Sequence, residues 1–237
     1  MVTNLIHARH FANLSSYEMS LETAYFIAKL STATTLIPFF LGLVRFRSMT
    51  KELKLLLILL GVSITCDMAA LYHSELKIGP NYVGDAYRLA EFILLLILYY
   101  KAFNNPKLFK GFVVVAFFYV LFLVANVLFI QQEKINSYTN IILACFFIVL
   151  AVLFFYKLMK DLPTLVVYQL PMFWINVGVL VYFAGNLFLW IVSHYLVTVL
   201  NDDFKIYWSF HNFLGMIKNI LFAAGFYVST KSPMKSL

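Results

Sequence analysis

Three observations predict an all-α polytopic membrane protein with seven transmembrane helices. Of the 237 residues, 62% are hydrophobic and 12% charged, and the mean hydropathy is +0.85; soluble domains are about half apolar and about a quarter charged. Seven apolar stretches follow one another through the chain, each close to the ~20 residues that a helix needs to cross a ~30 Å hydrocarbon core. Lysines and arginines, finally, crowd the short connections on one side of those stretches, the pattern that sets membrane topology.

Residues 1–23 are read as an extracytoplasmic N-terminal segment, because they lack the long apolar core and small-residue cleavage site of a signal peptide. Asn13-Leu14-Ser15 within it matches a glycosylation acceptor, a pattern short enough to arise by chance. The expected spans are 24–45, 53–73, 84–102, 111–130, 138–158, 172–197 and 207–228, which make 24–228 the transmembrane domain and 229–237 a tail. Pro38 lies inside the first span, where neighbouring helices can satisfy the carbonyl it frees, and Pro163 and Pro171 bracket the fifth connection. Every connection is short, so no kinase, nuclease or cyclase domain is encoded between the spans. Cys66 and Cys145 both fall inside apolar stretches, which points to neither a disulfide framework nor a redox motif.

Direction follows from the charges. The first, third and fifth connections and the tail hold eleven cations (Arg45, Arg47, Lys51, Lys54, Lys101, Lys107, Lys110, Lys157, Lys160, Lys231 and Lys235). The opposite side holds four, Arg9, Lys77, Lys134 and Lys205. The positive-inside rule therefore puts the N-terminus outside and the C-terminus in the cytoplasm, which an odd number of spans requires. Tyr99, Tyr100, Tyr156 and Tyr227 at inner ends and Tyr72, Tyr138, Tyr195, Tyr207 and Trp208 at outer ends fit interfacial aromatic belts. The net charge of +7 would suggest nucleic acid in a soluble protein. Spread over loops beside apolar helices, it points to anionic lipid headgroups instead.

The last span carries Lys218 near its middle, ~16 Å from either end at 1.5 Å per residue. An ammonium at that depth needs a partner, and the acids able to supply one are Glu91 and Asp67. Lys29, Arg88 and Lys218 balance Asp67, Asp85 and Glu91, three cations against three anions, as expected if each ion is paired inside the bundle. On the third span Tyr87, Arg88 and Glu91 can meet on one face. Tyr182, Asn186 and Ser193 line up on the sixth, with His194 to one side; Trp208, His211, Gly215, Lys218 and Phe222 form a stripe on the seventh, with Gly215 leaving room beside the lysine. Asn126, Asn176, Asn212 and Asn219 read as interhelical or interfacial hydrogen bonders. The expected pocket in the outer half of the bundle comprises Lys218, Glu91, Asp67, Arg88, His211, Asn186, Tyr182 and Trp208. Paired ions that only hold helix register are the alternative, although a central Lys or Asp costs about 2.5 to 3.5 kcal/mol to insert.

Such a pocket suits a sensory or signalling protein without intrinsic catalysis, in which a small polar or anionic molecule of unknown identity shifts helix packing read by a partner such as a kinase. Two other chemistries fit parts of the pattern. His73, His194, His211, Asp67 and Asp85 all sit toward the outer end and could surround a zinc ion for hydrolysis, but no two histidines share a helix at i, i+4, and the HxxxH of the seven-helix ceramidase and adiponectin-receptor families is absent. The run Arg88-x-x-Glu91-Phe92, with a lysine midway along the seventh helix, resembles the microbial rhodopsins. That resemblance implies Lys218 as a retinal Schiff-base lysine and Glu91 as its counterion; the chain departs from it at Leu214, where those proteins carry Asp, and in having no proline beside the mid-depth aromatics of its sixth span. The runs LIPFFLGLVRF (36–46), AEFILLLILYY (90–100), FWINVGVLVYFAGNLFLW (173–190) and MIKNILFAAGF (216–226) resemble an uncharacterised group of seven-helix inner-membrane proteins of Bacteroidota. That resemblance implies a bacterial inner membrane and a link to signalling. It places Glu91, Trp174, Asn176, Tyr182, Asn186, Lys218 and Asn219 within the similar runs, and leaves Asp67 and the histidines outside them.

Overall fold

The computed structural model describes residues 19–75, 82–130, 137–161, 166–198 and 205–229. Seven long α-helices fill these segments: α1 Leu21–Val44, α2 Lys51–Glu75, α3 Tyr82–Phe103, α4 Phe109–Ala125, α5 Ser137–Asp161, α6 Pro171–Thr198 and α7 Lys205–Val228. Each corresponds to one expected span and begins one to three residues before it. The apolar boundary was the sequence criterion, whereas backbone hydrogen bonding continues into the polar interface. Ser20 accepts from the Thr23 amide at 3.1 Å and so starts α1 as an N-cap. Pro171 opens α6, at the position where a missing N–H costs no helical bond. The fourth span departs from expectation: its α-helical part ends at Ala125 and Asn126–Ile130 form a π-helical turn. The buried Asn126 side chain donates to Thr139 Oγ1 on α5 at 3.0 Å.

Among the described residues, which are all-helical, five stretches are long and apolar enough to cross a bilayer, Leu21–Val44, Lys51–Ala70, Pro106–Ala125, Tyr138–Asp161 and Pro171–Val192, as in a membrane protein. The two helices outside that set are α3, with Asp85, Arg88, Glu91 and Lys101, and α7, with His211, Asn212, Lys218 and Asn219. Of these polar residues, Arg88, Glu91, His211 and Lys218 build the candidate site.

Neighbouring helices pack in the order α5, α6, α7, α1, α2, α3, and α3 returns to α5, so the described helices close a ring; α4 lies against α3. Register can be read from close approaches. Ser31 reaches the Asn212 carbonyl at 3.1 Å and Gly42 faces Phe226, so α1 and α7 run parallel. Gly178 faces Phe222 and Gly185 faces Leu214, so α6 and α7 run antiparallel. A Cβ on Gly178 would stand 2.9 Å from the Phe222 ring; small residues let membrane helices approach this closely. A layer of rings crosses the middle: Phe92 stacks on Tyr119 at 3.9 Å, and Phe147 contacts Phe92, Tyr99 and Phe183 at centroid distances of 5.9, 6.1 and 5.1 Å. By contrast, only 6% of the most apolar window of α4 is buried, and Val113, Val114, Phe117, Phe118 and Leu121 all face outward. Exposed Tyr72 and Tyr138 toward one end and Tyr156 and Tyr227 toward the other are placed as interfacial belts require, whereas Tyr99, expected among them, is buried and bonded to Asn176.

Candidate functional site

The ring interior toward the end where the odd-numbered helices begin is polar, and its centre is an ion pair. Lys218 Nζ on α7 lies 3.7 Å from Glu91 Oε1 on α3, with side chains 13% and 5% exposed. Glu91 is nearer the start of its helix than Lys218 is, and the two meet because helical side chains lean toward the N-terminus and the longer lysine reaches further that way than the glutamate. The ammonium also sits 3.9 Å above the ring of Tyr182 on α6, a cation–π contact worth about 2 kcal/mol when desolvated. At 3.7 Å the carboxylate contact is Coulombic and too long for a charge-assisted hydrogen bond of about 2.7–2.9 Å. Lys218 donates no hydrogen bond to another described residue.

Around this pair the other sites are filled. The Tyr87 hydroxyl, one turn before Glu91, donates to the same Oε1 at 3.3 Å. Ser63 on α2 lies beside the side chains of Asp67 and Tyr87, and Asp67 is within electrostatic reach of Lys218 and Glu91. Asp67 is thus an outlying negative charge, and the direct partner of Lys218 is Glu91. His211 Nδ1 and Asn186 Oδ1 are 2.7 Å apart, while the Asn186 amide donates to the Tyr182 carbonyl at 2.8 Å. With the Asn186 amide nitrogen already committed, its Oδ1 is the acceptor and His211 Nδ1 the donor. Its ring is enclosed by Tyr182 and Trp190, each at a centroid distance of 5.7 Å. Arg88, half-buried, acts electrostatically on Tyr182 and His211.

Several expectations are corrected in detail. Trp208 packs edge-on against Tyr25 at 6.0 Å, on the side of α7 that faces α1, so the stripe on α7 divides between two neighbours. Gly215 makes room for α1 rather than for the lysine, since a Cβ there would stand 3.1 Å from Ser31 Oγ. Lys29 is exposed on α1 and takes no part in the central pairing; a lysine near a helix end extends toward the interface. The side chains of His73, Asp85, Ser193 and His194, and the whole of residues 1–18, lie outside the described residues. Among the described residues no three His, Cys, Asp or Glu come together to hold a metal ion.

The asparagines act between helices as expected. Asn219 donates to Thr34 and Thr35 at 3.0 and 2.9 Å, and Asn176 accepts from the Tyr99 hydroxyl at 2.6 Å while donating to the Ala151 carbonyl at 3.0 Å. Asn212 instead bonds within its own helix, to the Trp208 carbonyl. Sequence reasoning missed Ser63, Trp190 and the Ser31/Thr34/Thr35 cluster; the signals were the Ser63–Asp67 i, i+4 spacing and the hydroxyl run at 31–35. Comparison with protein-family models, curated proteins and solved structures finds no match to this chain.

Proposed function

We propose that this is a sensory or signalling protein that crosses the cell's inner membrane seven times, N-terminus outside and C-terminus in the cytoplasm. A pocket in its outer half takes a small anionic or carbonyl-bearing molecule on Lys218. The observation that carries this reading is the unfilled donor capacity of a deeply placed ammonium: its nearest carboxylate is at 3.7 Å, its other close neighbour is the Tyr182 ring, and no described residue accepts a hydrogen bond from it. A ligand oxygen would take up that capacity and compete with Glu91, shifting α7 relative to α3. With only short connections at the membrane surface, occupancy would pass to a partner such as a kinase. The seven-span topology is supported by the six-helix ring with α4 against it, in which α3 and α7 face inward with their charges, and by the asymmetry of basic residues. The inner-membrane placement follows the resemblance to seven-helix proteins of Bacteroidota.

The test is thermal unfolding of the detergent-purified protein against a panel of small carboxylates and phosphates. At least one should raise the midpoint of the wild type and leave Lys218→Gln unmoved. A panel with no effect on the wild type would remove the pocket and leave a structural ion pair.

One observation favours a second reading: Lys218 and Glu91 stand in the relation of Schiff-base amine and counterion. Incubation with all-trans retinal should then produce a visible absorbance band, lost in Lys218→Gln; the absence of a band in the wild type removes that chemistry.

A further inference from the structure

A second site lies at the opposite end of the bundle. An open cavity of about 860 Å³ is lined there by the α1–α2 connection, the end of α3, the end of α5 and the start of α6. That volume is within the ~300–1,000 Å³ range of small-molecule sites. Its charged lining is four lysines, Lys51, Lys54, Lys101 and Lys157, against two acids, Glu52 and Asp161. Among the described residues none of these six forms an ion pair, so two positive charges are left in excess. Lys157 is partly committed: its ammonium donates to the Ala102 and Phe103 carbonyls at 3.1 and 2.7 Å, which fixes the end of α3 as one wall. Lys54 lies 5.0 Å over the Phe46 ring.

Chain geometry gives this end its concave form. Asn104 leaves α3 in the left-handed region at φ 48°, a conformation asparagine tolerates better than most residues, and Asn105 with Pro106 begins the next turn. Two helices, α2 and α6, start at the cavity, so the positive ends of their dipoles and the unpaired first-turn N–H groups of α2 add to the lysine field. The floor is apolar, with Leu53, Leu158 and Leu170 buried. Topology alone explains lysines on this side of the membrane. It does not explain their gathering around one concave space with an apolar floor.

We infer that this cavity is a binding site for a phosphate-bearing anion, either the headgroup of an anionic phospholipid or a soluble phosphate compound. Basic pockets between transmembrane helices hold anionic headgroups through the same chemistry. The apolar floor suits the glycerol and upper acyl carbons of a lipid, and the lysines with the helix ends suit the phosphate. The inference rests on neither Lys218 nor the sensory reading.

The full chain in phosphatidylcholine nanodiscs separates the sources. Phosphatidylglycerol retention is measured by native mass spectrometry, and inorganic phosphate binding by thermal shift. At least one probe should bind saturably to the wild type; phosphatidylglycerol alone identifies a headgroup, and phosphate in addition identifies a soluble ligand. At roughly fivefold per lysine near the surface, Lys51→Gln/Lys101→Gln should weaken binding about 25-fold. Lys51→Arg/Lys101→Arg should retain it, which separates charge from folding damage. Lys110→Gln/Lys160→Gln, on the same end but outside the cavity, should leave it unchanged. The inference is overturned if neither probe binds, or if the control pair loses as much affinity as the cavity pair.

Discussion

Lys218 is held by a carboxylate at 3.7 Å and a ring at 3.9 Å, and removing each contact has a different consequence. Lys218→Met leaves Glu91 buried without its cation, and Glu91→Leu strands the ammonium; breaking one side of a buried pair costs about 3–5 kcal/mol, whereas replacing both partners by apolar groups is often neutral. Each single variant should therefore lower the thermal midpoint in detergent strongly, and Lys218→Met/Glu91→Leu should recover most of the loss. Additive losses in the double variant would show that the two charges are not coupled. Tyr182→Leu should cost about 2 kcal/mol through the lost cation–π contact, and Tyr99→Phe less, about 0.6 to 1.7 kcal/mol, the range for hydrogen bonds between membrane helices. At this scale the charged members of the site were legible in the chain, because an ion in the apolar middle of a span must find a counterion. The ring under the ammonium was less so: Tyr182 lines up with Asn186 and Ser193 on its span, but nothing in a linear sequence tells which side of a tyrosine a neighbour will meet.

Helix positions were the most legible elements, since apolar length sets a membrane span and caps such as Ser20 and Pro171 mark its ends. The π-helical turn at Asn126–Ile130 was not legible, because the asparagine that bonds across to Thr139 looks the same in sequence as one that continues an α-helix. Nor were the roles of the glycines, whose value lies in what faces them. Gly178→Val would drive a branched side chain into the buried Phe222 ring, and overpacking of this kind costs about 1–3 kcal/mol. The measurable outcome is a lower unfolding midpoint, while Gly111→Val on α4, where a Cβ would meet nothing within 4 Å, should have little effect.

For the whole molecule, class and side-to-side charge asymmetry could be read in advance, but packing order could not, because most helices are apolar on every face and their sequences do not say which face meets protein and which meets lipid. Only α3 and α7 state their inward side, through Glu91 and Lys218. Topology is checked by labelling single cysteines with a membrane-impermeant maleimide in a Cys66→Ala/Cys145→Ala background. Ser229→Cys should react in inside-out vesicles and Ser20→Cys in right-side-out cells, and the reverse pattern would invert the proposed orientation. One adjacency gives the assembly a mechanical character. Glu91 grips Lys218 across the ring, and Phe92, the next residue, is stacked on Tyr119 of the loosely held α4. About 100° of helix separates these two side chains, so any rotation of α3 that freed the carboxylate would also swing the stacked ring. A charge event at the centre would thereby become a displacement at the rim, where a neighbouring protein could feel it through the lipid-facing helix.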